Sequence, residues 1–146
     1  MTETTTPTTT VEQTVRIAAT PETVWSFWTD PARLSEWWGT ATDVVVEPGG
    51  DYRILMDSDH VMRGSFVEVD RPHRLVFTFG WESNAPGDAL APGSTTVEVT
   101  LHPDGDGTEL VLRHSDMPTT HASDHAYGWH LFVGERLVAA VVANAR

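Results

Sequence analysis

The sequence predicts an α+β fold in which a curved antiparallel sheet of six to seven strands surrounds a long C-terminal helix. Three observations indicate this fold. Short segments of alternating apolar and polar residues follow one another, most of them separated only by tight turns, which is typical of antiparallel strands. Two short helical segments follow the first strand, and a helical period replaces the alternation after Pro118.

Alternation and capping residues mark the first strand and the two short helices. Apolar and polar side chains alternate from Val11 to Ile17, which predicts a half-buried strand. Thr20 is a typical N-cap, because Pro21 follows it at the first helical position, and the helix after it must be short. Asp30-Pro31 repeats this signal and predicts a second short helix from Ala32 to Trp38.

Turn residues separate the six strands predicted next. Apolar residues recur at every second position in most of them, which defines an inward and an outward face. The Asp-Gly-Asp-Gly sequence at residues 104–107 is a strong hairpin turn. Residues 82–94 form the one long loop, interpreted as a tolerated insertion, with a mobile lid as the alternative. The predicted strands cover residues 44–46, 51–56, 61–69, 75–81, 97–101 and 110–114.

The last predicted element is a helix from about Thr120 or Ser123 to about Asn144, which is long enough to cross the sheet. At about 100° per residue, its apolar residues share one face. A curved sheet grips such a helix loosely at one end, and we expect a cavity in that gap. The apolar face consists of Ala126, Trp129, Val133, Leu137, Ala140 and Val141.

Length and composition predict one globular domain, residues 11–146, after a disordered Thr-rich tail over residues 1–10. The formal net charge of −12 repels phosphate backbones and anionic lipid headgroups, so neither nucleic acid nor a membrane is an expected partner. The chain has no cysteine, which excludes disulfides and thiolate chemistry. Since it also has no secretory signal and no bilayer-length apolar run, we expect a cytoplasmic protein.

Four segments of the chain resemble the bacterial homologues of the activator of Hsp90 ATPase, which belong to the START-like (SRPBCC) superfamily of helix-grip folds. The resemblance covers residues 11 to about 142. The segments are PETVWSFWTDPARLSEWWG, GSFVEVDRPHRLVFTFGWE, STTVEVTLHPDGDGTELVLRHSDMP and GWHLFVGERL.

This resemblance implies a pocket between the sheet and the C-terminal helix. Members of the superfamily bind lipids, polyketides, plant hormones or other hydrophobic small molecules, and some catalyse cyclisation or hydroxylation. The eukaryotic co-chaperones that give the family its name carry a separate Hsp90-binding domain. The sequence contains no counterpart of that domain, so the resemblance implies a pocket protein more strongly than a co-chaperone.

The inward apolar rows, which include Trp129, supply candidate pocket residues. Aromatic side chains bury large areas and serve equally well as core or as pocket wall, and each one taken alone is more typical of core. Six tryptophans in 146 residues nevertheless favour a large apolar cavity. The predicted ligand-contacting residues are Trp38, Tyr52, Met56, Phe66, Phe77, Phe79, Trp81, Leu112, His114, Tyr127, His130, Val133 and Leu137.

Two histidines in this set fall at inward positions. His114 follows two leucines on the inward side of its strand, and His130 lies between Leu137 and Val141 on the apolar helix face. A polar group at such a position requires a partner. With Tyr127 as a third candidate, both histidines could orient the polar end of a ligand, or exchange protons near neutral pH. The alternative is that each is a core histidine with satisfied hydrogen bonds.

Three further features of the last helix are interpreted as structural. His121 and His125 have the spacing of a metal pair, but without an evident third ligand a solvated helix end is preferred, and no metal or cofactor is predicted. Gly128 is interpreted as a point of close packing. Phe132 is placed on the outer side of the helix, where it suggests a contact in a homodimer, although a monomer is equally open.

The leading functional hypothesis is therefore a binder of a hydrophobic small molecule, namely a lipid, polyketide or aromatic metabolite. An enzyme is the first alternative, a cyclase or hydrolase that uses the pocket histidines for proton transfer. The second alternative is an interaction protein that contacts an Hsp90-type chaperone through its acidic surface.

Overall fold

The computed structural model describes residues 7–57, 60–82 and 90–144. These ranges contain seven strands: β1 (Thr8–Ile17), β2 (Thr40–Val44), β3 (Asp51–Leu55), β4 (Val61–Asp70), β5 (Arg74–Phe79), β6 (Thr95–Asp104) and β7 (Gly107–Pro118). They form one curved antiparallel sheet in the order β1-β7-β6-β5-β4-β3-β2. Helices α1 (Pro21–Thr29) and α2 (Pro31–Leu34) follow β1, and a long helix from Thr119 to Asn144 ends the described chain. The predicted fold is confirmed.

Two strands at the edges of the sheet differ from their predicted bounds. β1 begins at Thr8 rather than Val11, because the long β7 supplies partners for Thr8 and Thr9. The predicted tail therefore includes three strand residues, and residues 1–6 lie outside the described chain. β2 ends at Val44, before the apolar pair Val45 and Val46, which are 46% and 37% exposed in the turn that leads to β3.

Buried hydrogen bonds join the first short helix to the segment after the second and to the sheet. Thr20 caps α1 as predicted, and Asp30 caps α2, which ends at Leu34 rather than Trp38. After α2, the indole of Trp37 donates to the carbonyl oxygen of Phe27 at 2.7 Å. The hydroxyl of Tyr52 in β3 donates to the carbonyl oxygen of Trp28 at 2.6 Å. These bonds satisfy polar groups inside an otherwise apolar core.

The C-terminal helix changes its winding part-way along. It begins as α3 (Thr119–Trp129), continues as a π-helical segment (His130–Leu137) and ends as α4 (Val138–Asn144). Its buried residues are spaced four apart, a spacing that drifts by about 40° per step on an α-helix. The wider π turns, with bonds from residue i to i+5, keep this stripe on the sheet. The buried stripe consists of Trp129, Val133, Leu137 and Val141.

The long loop predicted at residues 82–94 is described only at its two ends, since residues 83–89 lie outside the described chain. Beyond β5, Trp81 forms an isolated bridge with Met62 of β4, and its backbone N–H donates to the carbonyl oxygen of Leu90 at 2.9 Å. The choice between insertion and lid stays a prediction. None of the helices in the described ranges is both long and apolar enough to cross a lipid bilayer.

Candidate functional site

A pocket of about 450 Å³ lies between the C-terminal helix and the sheet. One wall is formed by α3 and the start of the π segment, and the other by the sheet and its neighbouring turns. This volume is within the usual range for small-molecule sites. The helix contributes His121, Asp124, His125, Gly128, Trp129 and Phe132. The opposite wall consists of Trp38 after α2, Met56 and His60 between β3 and β4, Phe79 at the end of β5, and Trp81.

The helical side of the pocket follows from the α-helical period. His121, His125, Gly128 and Phe132 are spaced four, three and four residues apart, so they share one face of the helix. Trp129 lies at the border between this face and the buried stripe, and it lines the pocket while being 4% exposed. The two functions of the helix, lining the pocket and packing on the sheet, therefore meet at this residue.

Tryptophan and phenylalanine rings form the apolar part of the pocket. The ring centroid of Trp129 is 5.7 Å from that of Trp38 and 5.8 Å from that of Phe79. Phe79 in turn meets Trp81 edge-on at 5.2 Å. These tilted and edge-on contacts are the arrangements that aromatic pairs prefer, and they hold each ring in place. The result is a firm apolar surface suited to a hydrophobic ligand.

Imidazole groups and the carboxylate residue Asp124 form the polar part of the pocket. Nδ1 of His125 donates to the carbonyl oxygen of His121 at 2.9 Å, and Nε2 of His125 accepts from the indole of Trp81 at 3.4 Å. His60 lies across the pocket, where Nδ1 is 2.9 Å from a carboxylate oxygen of Asp57 and the ring meets Trp81 edge-on. A ligand in this pocket would thus contact both apolar rings and hydrogen-bonding nitrogens.

His114 lies behind the aromatic wall and is fully buried. The indole of Trp129 donates to Nδ1 at 3.0 Å, so the ring proton is on Nε2. Nε2 is 2.7 Å from Oγ1 of Thr95 and donates to it, because the Thr95 hydroxyl itself donates to the carbonyl oxygen of Phe79 at 2.7 Å. This series of hydrogen bonds fixes one neutral tautomer of the His114 imidazole.

The environment of His114 opposes its protonation. Burial lowers the pKa of His114 to about 3, and the electrostatic influence of His125, whose ring centroid is 5.9 Å away, acts in the same direction. At neutral pH the imidazole is therefore uncharged. It serves as a structural link between β7, β6 and the C-terminal helix.

Residues 18–142 match the family described as Activator of Hsp90 ATPase homolog 1-like protein. The chain belongs to this family. The match covers most of the sequence and most of the described fold, from the residue after β1 to α4. No curated protein matches the sequence.

One solved structure agrees with the assignment to this AHSA1-like family, and two others share the fold. An AHSA1-like protein from Rhizobium etli is 36% identical, with a TM-score of 0.73 over 96% of this chain and 86% of that chain. A protein from Mesorhizobium loti is 24% identical, with a TM-score of 0.80 over 92% of this chain and 98% of that chain. DynU16, from the dynemicin biosynthetic locus, is 24% identical, with a TM-score of 0.78 over 92% of this chain. The chain spans about half the length of DynU16, 48% of it.

The structure of this AHSA1-like chain divides the predicted ligand-contacting residues into three groups. Four of them line the pocket, namely Trp38, Met56, Phe79 and Trp81. Seven are buried in the core or behind the wall and lie outside the pocket lining, namely Tyr52, Phe66, Phe77, Leu112, His114, Val133 and Leu137. The other two, Tyr127 and His130, are exposed.

The predicted inward orientation of His130 is wrong. At 100° per residue His130 falls between Leu137 and Val141, but π turns rotate less per residue and move it off that face. Tyr127 is 70% exposed on the helix surface. The structure therefore does not place His114 and His130 in one cavity, since the first is sealed in the interior and the second is exposed. The proposed acid–base pair of the enzyme hypothesis loses its geometry.

Sequence reasoning missed several residues of the AHSA1-like pocket. His121 and His125 are half-buried pocket residues rather than a solvated helix end, and Phe132 faces the pocket rather than the outer side. Their helical spacing places them on one face of the helix and could have been used to group them. This grouping indicates a pocket only once that face is known to border a cavity. Within the residues that the structure describes, no three His, Asp or Glu side chains are grouped to hold a metal ion.

Gly128 does not mark a close packing contact, contrary to the prediction. Among the described residues, no heavy atom outside its own helix backbone and chain neighbours lies within 4 Å of the place where a Cβ would stand. Gly64 illustrates the opposite case, because a Cβ there would collide with the carbonyl oxygen of Thr78. Gly128 instead lines the pocket.

We expect Gly128→Ala to raise the free energy of unfolding by up to about 1 kcal/mol, because alanine is favoured over glycine in a helix and its methyl group meets no obstacle. Urea unfolding followed by circular dichroism measures this change. Gly134→Ala is the matched control, since its methyl group would lie 3.3 Å from the Gln13 side chain and from the His130 ring. A loss of stability in Gly128→Ala would mean that the space at this residue is occupied.

Proposed function

We propose that the chain binds a hydrophobic small molecule in the pocket between the C-terminal helix and the sheet. The observation that carries this proposal is the combination, in one cavity of about 450 Å³, of an aromatic wall with a set of imidazoles. Apolar burial supplies the affinity, and a few polar groups fix the orientation of the ligand, as is usual in such sites.

The polar groups favour a ligand with one hydrogen-bonding end. His60 and His125 are held by Asp57 and by the His121 carbonyl oxygen, so their rings have defined positions before a ligand arrives. The aromatic wall around Trp129 is held in the same way from behind by His114. DynU16 comes from a biosynthetic locus, which supports a small molecule over a macromolecular partner. Contact with an Hsp90-type chaperone stays a prediction.

A thermal-shift panel tests the proposal. The panel contains long-chain alcohols, fatty acids, polycyclic aromatic alcohols and polyketides. A ligand present at 100 times its Kd stabilises the folded state by about 2.7 kcal/mol, which for a chain of this size raises Tm by about 5–10 °C. The proposal is contradicted if no compound in the panel shifts Tm and native mass spectrometry detects no complex.

We expect Phe132→Ala to weaken binding of any compound found in this way by about tenfold or more, because the lost aromatic contact is worth about 1.5–3 kcal/mol. Quenching of tryptophan fluorescence measures the affinity, since Trp38, Trp81 and Trp129 line the pocket. Tyr127→Ala is the matched control, an aromatic residue of the same helix that is exposed outside the pocket. Equal losses in the two variants would place the ligand elsewhere.

A further inference from the structure

We propose that Gly128 determines ligand specificity by keeping the helix backbone open to a broad, ring-containing ligand. This inference depends on the proposed function and adds the shape of the ligand to it. Gly128 is in the middle of the pocket face of the helix, between His125 and Phe132. A side chain at this residue would extend from the helix into the cavity.

The structure offers no packing reason for a glycine at this position. A glycine inside a helix costs stability relative to alanine. Gly64 and Gly80 of the sheet region are explained by backbone oxygens that a Cβ would strike, those of Thr78 and Ala91. At Gly128 the corresponding space is open among the described residues. A ligand that occupies this open space would explain why the helix carries a glycine here despite its cost in stability.

The walls around this space favour rings over a single alkyl chain. Because Gly128 has no side chain, it leaves a recess in the helix surface. His125 lies one turn before this recess and Phe132 one turn after it. Across the pocket stand Met56, His60 and Trp81. Aromatic and imidazole groups pack well against a planar ring system, whereas a slender chain would not require the recess.

The test compares variants that add the same side chain at two positions of one helix. Gly128→Leu fills the recess, and Ala126→Leu adds the same group at an exposed position two residues away that lies outside the pocket lining. The probes are pyrenemethanol, which is broad, and decanol, which is slender. Tryptophan quenching gives the affinity for pyrenemethanol, isothermal calorimetry gives that for decanol, and circular dichroism verifies that each variant is folded.

We expect Gly128→Leu to weaken pyrenemethanol binding by about 10- to 200-fold, the range for a misfit in a hydrophobic pocket. Decanol binding should change by less than about threefold, and Ala126→Leu should leave both affinities within the same limit, as is usual for a surface substitution. If pyrenemethanol binds the wild type and Gly128→Leu equally well, or if both probes weaken alike in Gly128→Leu, the inference about Gly128 is wrong while the pocket stands. If neither probe binds the wild type, the proposed function is wrong and the inference about Gly128 falls with it.

Discussion

Replacing His114 with alanine is expected to lower the free energy of unfolding by about 3–5 kcal/mol, the largest effect of any substitution proposed for this chain. The substitution leaves a cavity in a fully buried site, and it also removes the partners of the Trp129 indole and the Thr95 hydroxyl. A buried donor without an acceptor adds its desolvation cost to that of the cavity. Urea unfolding at pH 7 measures the loss.

His130→Ala is the control for this experiment. His130 is an exposed residue of the same chain, and a substitution there should change the free energy of unfolding by no more than about 0.5 kcal/mol. A comparable loss in both variants would mean that the His114 network contributes nothing specific.

The second large effect is a loss of stability in mild acid that depends on His114. In the unfolded chain histidine has a pKa of about 6.5, whereas burial lowers the pKa of His114 to about 3 in the folded chain. Between these values the unfolded state binds one more proton than the folded state, so the free energy of unfolding falls as the pH falls. The slope is about 1.4 kcal/mol per pH unit, which amounts to about 2 kcal/mol between pH 6.5 and pH 5.

The contribution of His114 is isolated by comparing the wild type with His114→Gln at several pH values. Glutamine does not titrate, so the stability difference between the two proteins should shrink by about 2 kcal/mol from pH 7 to pH 5. The other histidines and the carboxylates are common to both proteins and largely cancel. A difference that stays constant with pH would show that His114 is protonated as readily in the folded chain as in the unfolded one.

The fold could be predicted because local patterns and capping residues agree with each other. Thr20 and Asp30 mark the helix starts, and the alternating residues of β5, β6 and β7 face the core as expected. The errors concern the ends of elements, such as the end of α2, both ends of β7 and the beginning of β1. The beginning of β1 depends on the length of β7, its pairing partner, and such a long-range relation has no local signal.

The pocket was only partly predictable for two physical reasons. An inward side chain can contact either the core or a cavity, and alternation alone does not distinguish Phe77, which is core, from Phe79, which lines the pocket. The second reason is the winding of the C-terminal helix. An angle of 100° per residue holds for an α-helix, but it gives the wrong direction for His130, which begins a π-helical segment. The sequence carries no evident mark of the change from α- to π-helical winding.

Trp129 belongs at once to the lining of the pocket and to the interior hydrogen-bond chain through His114. Its indole cannot turn toward or away from a guest without breaking a bond that helps to hold the protein together. The conformational entropy of this ring is therefore lost during folding, before a ligand binds. A guest meets a surface already in its final shape, and complex formation should proceed as lock and key, with little rearrangement of the host.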